Sequence, residues 1–305
     1  MMNVTRRQFI SHTSQLALAG VALPGVALPG LVRANTIVDT SKYEIGLSQY
    51  SLRSMFGDGT LDPLDYPQYA VDTFGIKAID FWEGGLPADQ LNNKNYLTKL
   101  RQRSEDAGTK TFLLMAGALD ANPEKAEASR QNLLPSIDRT ATLGAQYMRV
   151  FLRAPGEDEA SGIKASVEAL KPLADAAAKK DVMIVIEPGA SKLSQRGAFL
   201  AEVCKQLDHP ALRLMPDFGK QVNNVYDGTE AMMPYTVTIS CKMHSFDDNG
   251  KQPHFDYNRL LKIIDRAGYR GLLTIEWEGS KLKPVPGVLA SKKLIQEAIA
   301  NLSKS

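Results

Sequence analysis

Residues 256–279 read DYNRLLKIIDRAGYRGLLTIEWEG. Leu260, Leu261, Ile263 and Ile264 recur at helical spacing, and the pattern stops at Gly268, a usual helix terminator. A β-type run, LLTIEWE (272–278), follows at once. The stretch is therefore one helix feeding one strand. The same unit recurs upstream. Strand-like runs stand at YEIGLSQYS (43–51), IKAIDFW (76–82), TKTFLLMA (109–116), QYMRVFL (146–152), DVMIVIE (181–187), LRLMPDF (212–218) and TVTISCKMH (236–244). Amphipathic stretches such as SVEALKPLADAAAKK (166–180) lie between them. Eight strands separated by helical crossovers predict a single-domain (β/α)₈ barrel over residues 35–305. A doubly wound open sheet is the alternative. It usually carries a Gly-rich first turn, and GLSQYSLRSMFGDG (46–59) is not a G-x-G-x-x-G fingerprint.

The chain has 305 residues and a formal net charge of +2. Its first 34 residues hold Arg6, Arg7 and Arg33 and no acid, so the remainder is close to neutral. No basic stripe points to nucleic acid. "TRRQFI" (5–10), the Gly- and Pro-broken apolar run LALAGVALPGVALPGL (16–31) and the small residues near Ala34 read as a twin-arginine-type export signal, residues 1–34. The run is too short and broken for a stable membrane span in the mature form. The expected location is the bacterial periplasm, reached through the twin-arginine machinery. Cys204 and Cys241 fall in a helix and a strand and read as small buried residues, not a disulfide framework.

In a barrel of this kind the chemistry gathers at the C-terminal ends of the strands. Strand five ends at Glu187, strand six at Asp217, strand seven at His244, and strand eight carries Glu276. Adjacent strands lie about 4.8 Å apart, so four such side chains converge. Three carboxylates packed together repel and take up protons unless a cation neutralises them. Three carboxylates and an imidazole suit one divalent ion, Mn²⁺ first, with Mg²⁺, Co²⁺ or Zn²⁺ as alternatives. The metal ligands expected are Glu187, Asp217, His244 and Glu276. Glu278 shares the parity of Glu276 and is the substitute ligand.

The stretches "IVIEPG", "LMPDFGK", "KMHSFDDNG" and "DYNRLLKIIDRAGYRGLLTIEWEG" resemble the xylose isomerase-like superfamily, in particular its sugar phosphate isomerase/epimerase group. "LSQYSLRSMF" and "GIKAIDFWEGG" are similar to that group's first two strands, so the resemblance runs over about residues 43–300. It implies one divalent metal on the four residues named, with Glu187 and Glu276 also moving protons on opposite faces of a sugar. The chain departs from the family at three places. Gly189 and Lys220 stand where many relatives have histidines, and Phe246 stands where a lysine is common. Beyond residue 34 the histidines are His209, His244 and His254, too few for the three-zinc site of the related abasic-site endonucleases.

The reaction expected is isomerisation or epimerisation of an unphosphorylated sugar or keto-sugar. A glutamate takes a proton from carbon beside a carbonyl, giving an enediolate, and a second group returns it. Parity and position nominate Gln49, Tyr50, Asp80, Trp82, Arg149, Lys220, Lys242 and Glu278 to hold the substrate. Arg149, inside the apolar "YMRVF", needs an ionic partner, and the site carboxylates are the candidates. Trp277 is read as core packing as readily as a sugar platform. Two other readings remain. The same site gives a lyase or hydratase on 3-keto-glycosides if the enediolate expels a β-substituent. Without turnover, the chain is a sugar-binding barrel.

Overall fold

The computed structural model describes residues 42–221 and 224–302. The export signal at residues 1–34, and the first residues assigned to the barrel, lie outside them. Eight strands alternate with helices: β1 Tyr43–Leu47, α1 Arg53–Gly57, α2 Tyr66–Phe74, β2 Ala78–Trp82, α3 Lys94–Asp106, β3 Lys110–Asp120, α4 Ala126–Thr142, β4 Tyr147–Arg153, α5 Glu159–Ala178, β5 Met183–Glu187, α6 Gly197–Leu207, β6 Leu212–Leu214, α7 Val225–Met232, β7 Ile239–Met243, α8 Tyr257–Arg266, β8 Gly271–Trp277 and α9 Pro284–Leu302. All strand pairs are parallel, in the order β6-β5-β4-β3-β2-β1-β8-β7. The two ends of that series meet through single parallel bridges, Leu214 with Thr236 and Asp217 with Ser240. The Ser240 N–H donates to the Pro216 carbonyl at 2.9 Å and the Val237 N–H to Leu214 at 3.2 Å. The sheet thus closes on itself as the expected (β/α)₈ barrel.

Alternation along each strand sorts the core into two shells. Ile239, Cys241 and Met243 of β7 and Leu273, Ile275 and Trp277 of β8 pack outward with Leu260, Leu261 and Ile264 of α8. That helix starts at Asp256, whose side chain accepts the N–H groups of Asn258 and Arg259, and it is followed by Gly268 at φ +74°. Ala78, Phe112, Val185 and Met215 form a smaller cluster that plugs the barrel interior. One step further along the strands, the inward positions turn polar.

Three local differences bear on the site. β1 ends at Leu47, and Gln49–Leu52 coils into a 3₁₀ turn, where an extended strand to residue 51 is expected. The Ser48 hydroxyl accepts the Tyr50 N–H, which starts that turn. β6 spans only Leu212–Leu214. Pro216 has no N–H to give a ladder, so Asp217 lies past the regular strand and is held by its bridge to Ser240. Trp277 is 1% exposed on the outer face, beside Gly287, where a Cβ would stand 2.3 Å from the indole. It is a core residue. Cys204 and Cys241 are free and buried, and burial pushes the Cys204 thiol up to about 12.

Candidate functional site

Glu187, Asp217 and Glu276 present one oxygen each within 4.8 Å of one another, and all three are buried. Glu187 closes β5, in register with Phe151 of β4. Asp217 is fixed by the Gly219 N–H, which donates to Oδ1 at 2.7 Å. Glu276 lies in β8, in register with Lys242 of β7. The Ser240 hydroxyl donates to Glu276 Oε2 at 2.7 Å and lies 3.3 Å from Asp217 Oδ2.

Lys242 sits in the middle of these carboxylates. Its Nζ donates to Glu276 Oε1 and to Glu278 Oε1, both at 2.8 Å. It stands 3.0 Å from Asp217 Oδ2 and 4.0 Å from Glu187 Oε1. Its side chain is 1% exposed. Burial favours the neutral amine, but Asp217, Glu276, Glu187 and Glu278 outweigh it and hold the pKa well above the usual lysine value. Burial likewise pushes against ionisation of Glu276. The charge and hydrogen bond of Lys242, with help from Ser240, outweigh it and bring that carboxyl down to about 2. Glu187 goes the other way. Burial raises it well above the carboxylate range, Arg149 opposes the rise, and Asp217 and Glu276 add to it.

Arg149 supplies the second cation. It points inward from β4, with Nε 2.9 Å from Glu187 Oε2 and Nη1 donating to the Ala116 carbonyl at 2.8 Å. Its guanidinium lies over the Phe151 ring, 4.2 Å from the centroid. The Nε contact is close but not aligned as a hydrogen bond, and both Glu187 oxygens lack a hydrogen-bond donor. A buried carboxylate with two unsatisfied oxygens beside two more carboxylates is a donor set that suits a divalent ion. As the side chains stand, the ammonium of Lys242 lies where such an ion would bind.

The other nominated residues divide. His244 does not join the carboxylates. It follows the end of β7, its side chain is 39% exposed, and its Nδ1 is 3.9 Å from Glu278 Oε2. The interior position of β7 at the level of Glu276 belongs to Lys242, which sequence reasoning placed only among substrate contacts. Shared parity with Ser240 and His244, and the need of a lysine in an apolar strand for partners, are the signals that locate it. Glu278 reaches the cluster through Lys242, since its N–H extends the β7–β8 ladder by bonding the Met243 carbonyl at 2.9 Å. Arg149 has the ionic partner expected of it. Gln49 and Asp80 are buried and engaged with backbone: Asp80 Oδ1 accepts the Gln49 N–H at 2.8 Å, and Gln49 Oε1 accepts the Trp82 N–H at 2.7 Å. They fix the turn that presents Tyr50 and Trp82, whose half-buried rings meet edge to face at 4.8 Å. Lys220 is half-buried, and its backbone N–H lies 3.4 Å from the Asp217 carbonyl. Beside the cluster, Phe218, Tyr226, His244, His254 and Phe255 line a cavity of about 480 Å³.

The family described as xylose isomerase-like TIM barrel matches residues 68–305. The barrel is similar to 3-keto-D-glucoside 4-epimerase from E. coli, with a TM-score of 0.63 at 14% identity, covering 84% of this chain and 99% of that one. It is also similar to an IolI protein with a bound zinc atom, with a TM-score of 0.70 at 14% identity over 85% of this chain and 98% of that one. A stretch of 49 residues is 39% identical to the 3'-dehydrocarminate deglycosidase alpha subunit of a Microbacterium species. That match spans only 16% of this chain and 14% of the relative.

Proposed function

Because this chain belongs to the xylose isomerase-like TIM barrel family, we propose that it is an isomerase or epimerase of an unphosphorylated sugar or keto-sugar, working by proton transfer at carbon. The observation that carries this reading is the buried group of Glu187, Asp217 and Glu276 at the C-terminal mouth of the barrel. Glu187 and Glu276 stand on β5 and β8, on separate arcs of the wall. A sugar carbon lying between them has one carboxylate to take its proton and another group to return one. Tyr50 and Trp82 offer aromatic edges and faces at the rim, suited to the apolar side of a pyranose ring. A divalent ion, Mn²⁺ first by this oxygen-rich donor set, would be held by Glu187, Asp217 and Glu276. When bound it supplies positive charge to the substrate oxygen that turns anionic as the proton leaves.

A second reading keeps the same proton abstraction but ends in loss of a β-substituent, which makes the enzyme a lyase or hydratase on 3-keto-glycosides. Two likenesses favour keto-glycosides as the substrate class: the fold of the 3-keto-D-glucoside epimerase and the local identity to a dehydrocarminate deglycosidase subunit. Incubation with free sugars and 3-keto-glycosides in D₂O, with Mn²⁺ supplied, tests both. Deuterium at a carbon beside the carbonyl is the expected result. A rearranged sugar supports the first reading, and a released aglycone supports the second. Binding without deuterium uptake on every compound bound would leave a sugar-binding barrel.

Residues 1–34 are proposed to export the protein to the periplasm by the twin-arginine route. A reporter fused after residue 40 should be exported, and changing Arg6 and Arg7 to lysine should retain it in the cytoplasm. Unaltered export of the double variant would end that proposal.

A further inference from the structure

Lys242 has more structure built around it than a substrate contact needs. Its ammonium donates to Glu276 and Glu278, both at 2.8 Å, and is ion-paired with Asp217 at 3.0 Å. Its stem runs against Gly219, where an added Cβ would lie 2.8 Å from Cδ and 3.0 Å from Cγ. Only a glycine there leaves the lysine its path. The Lys242 carbonyl is pinned by the Tyr257 hydroxyl at 3.0 Å. An ion bonded to Asp217 and Glu276 needs the oxygens that the ammonium now engages. It would also face a unit positive charge at hydrogen-bond distance.

We propose that Lys242 is the resident cation of this site: its ammonium fills the place between the carboxylates in the metal-free protein, and a divalent ion binds only when Nζ leaves. Lysine and ion then occupy the cluster in alternation. The inference rests on the ligand set of the proposed function, but not on the reaction. The fold tolerates loss of metal because the carboxylates keep a counter-charge, and the ion binds more weakly than three buried carboxylates alone would hold it.

The test reads metal binding and the lysine itself, not turnover. Calorimetric titration with Mn²⁺ and Mg²⁺ compares the wild type with Lys242→Met and with the hydrogen-bonding variant Lys242→Gln. At least about tenfold tighter binding is expected in whichever variants fold, since a competing positive charge has gone. In ¹⁵N-labelled wild type, the Lys242 ammonium resonance, slowed from exchange by its three partners, should move or vanish on saturation with diamagnetic Mg²⁺. Chelation should lower the melting temperature of the variants more than that of the wild type, whose ion is held more weakly. An ammonium resonance unaltered at Mg²⁺ saturation overturns the proposal. So does a folded variant that binds no more tightly than wild type, including the case in which neither binds. Lack of deuterium exchange on any sugar, with these binding results obtained, counts against the proposed function alone.

Discussion

Glu276→Gln is expected to lower turnover by roughly 10²–10⁴-fold, the usual contribution of a general acid–base group, with Glu187→Gln falling in the same range. Glutamine keeps an oxygen to hold a cation but has no carboxylate to accept a proton. At Glu276 the surroundings accept the change. Ser240 Oγ now donates to Oε2 and Lys242 to Oε1, so an amide loses one of these bonds while Asp217 and Glu278 still hold the ammonium. At Glu187 neither oxygen has a hydrogen-bond donor, so an amide breaks no such bond, but it leaves the Arg149 guanidinium without its carboxylate at 2.9 Å. Where the variants fold, substrate should bind with little change in KM, while kcat falls. The proton exchanged with D₂O identifies which glutamate serves which carbon. Near wild-type turnover in both variants would remove the two-glutamate mechanism.

The barrel was legible because its signal repeats. Eight apolar runs with helical crossovers, and helix α8 with its Asp256 start and Gly268 stop, are local patterns that tertiary structure only arranges. The carboxylates were legible for the same reason, since parity and strand ends place Glu187, Asp217 and Glu276 on one level. What escaped is the fourth position. His244 is the more familiar ligand, but it falls one residue beyond β7, and its side chain turns toward solvent and Glu278. Lys242 is inside the strand and in register with Glu276. A long side chain reaches a place that its Cα does not announce, and that reach is set by Gly219 on a neighbouring segment. Gln49 and Asp80 escaped differently. They sit at strand ends as substrate contacts should, yet the 3₁₀ turn after β1 engages both with backbone N–H groups.

Arg149→Met should destabilise the fold by up to about 3–5 kcal/mol where Glu187 is ionised, because it then removes one partner of a buried ion pair and leaves the other. Arg149 and Glu187 are 8% and 1% exposed, so water cannot make up the loss. The variant also strips the Ala116 carbonyl of its donor. Adding Glu187→Gln should restore most of the stability, since neither charge then remains, and the unrestored part measures the Ala116 bond together with the contact on the Phe151 ring. Double-mutant coupling separates the ion pair from both, because the sites are in contact. The pH dependence follows from the sign of the Glu187 shift. Burial already lifts this carboxyl well above its unfolded value, with Arg149 opposing, so loss of the guanidinium lifts it further. A carboxyl that binds its proton more tightly when folded stabilises the fold at low pH. That contribution is lost as pH rises from the unfolded carboxylate value toward the raised folded one. The deficit of Arg149→Met, measured by urea unfolding with chelator present, should therefore grow as pH rises through the raised folded value of Glu187. A deficit that does not grow with pH and that the second substitution leaves unchanged would mean that Arg149 does not hold the Glu187 charge and that the guanidinium acts through Phe151 and Ala116 alone.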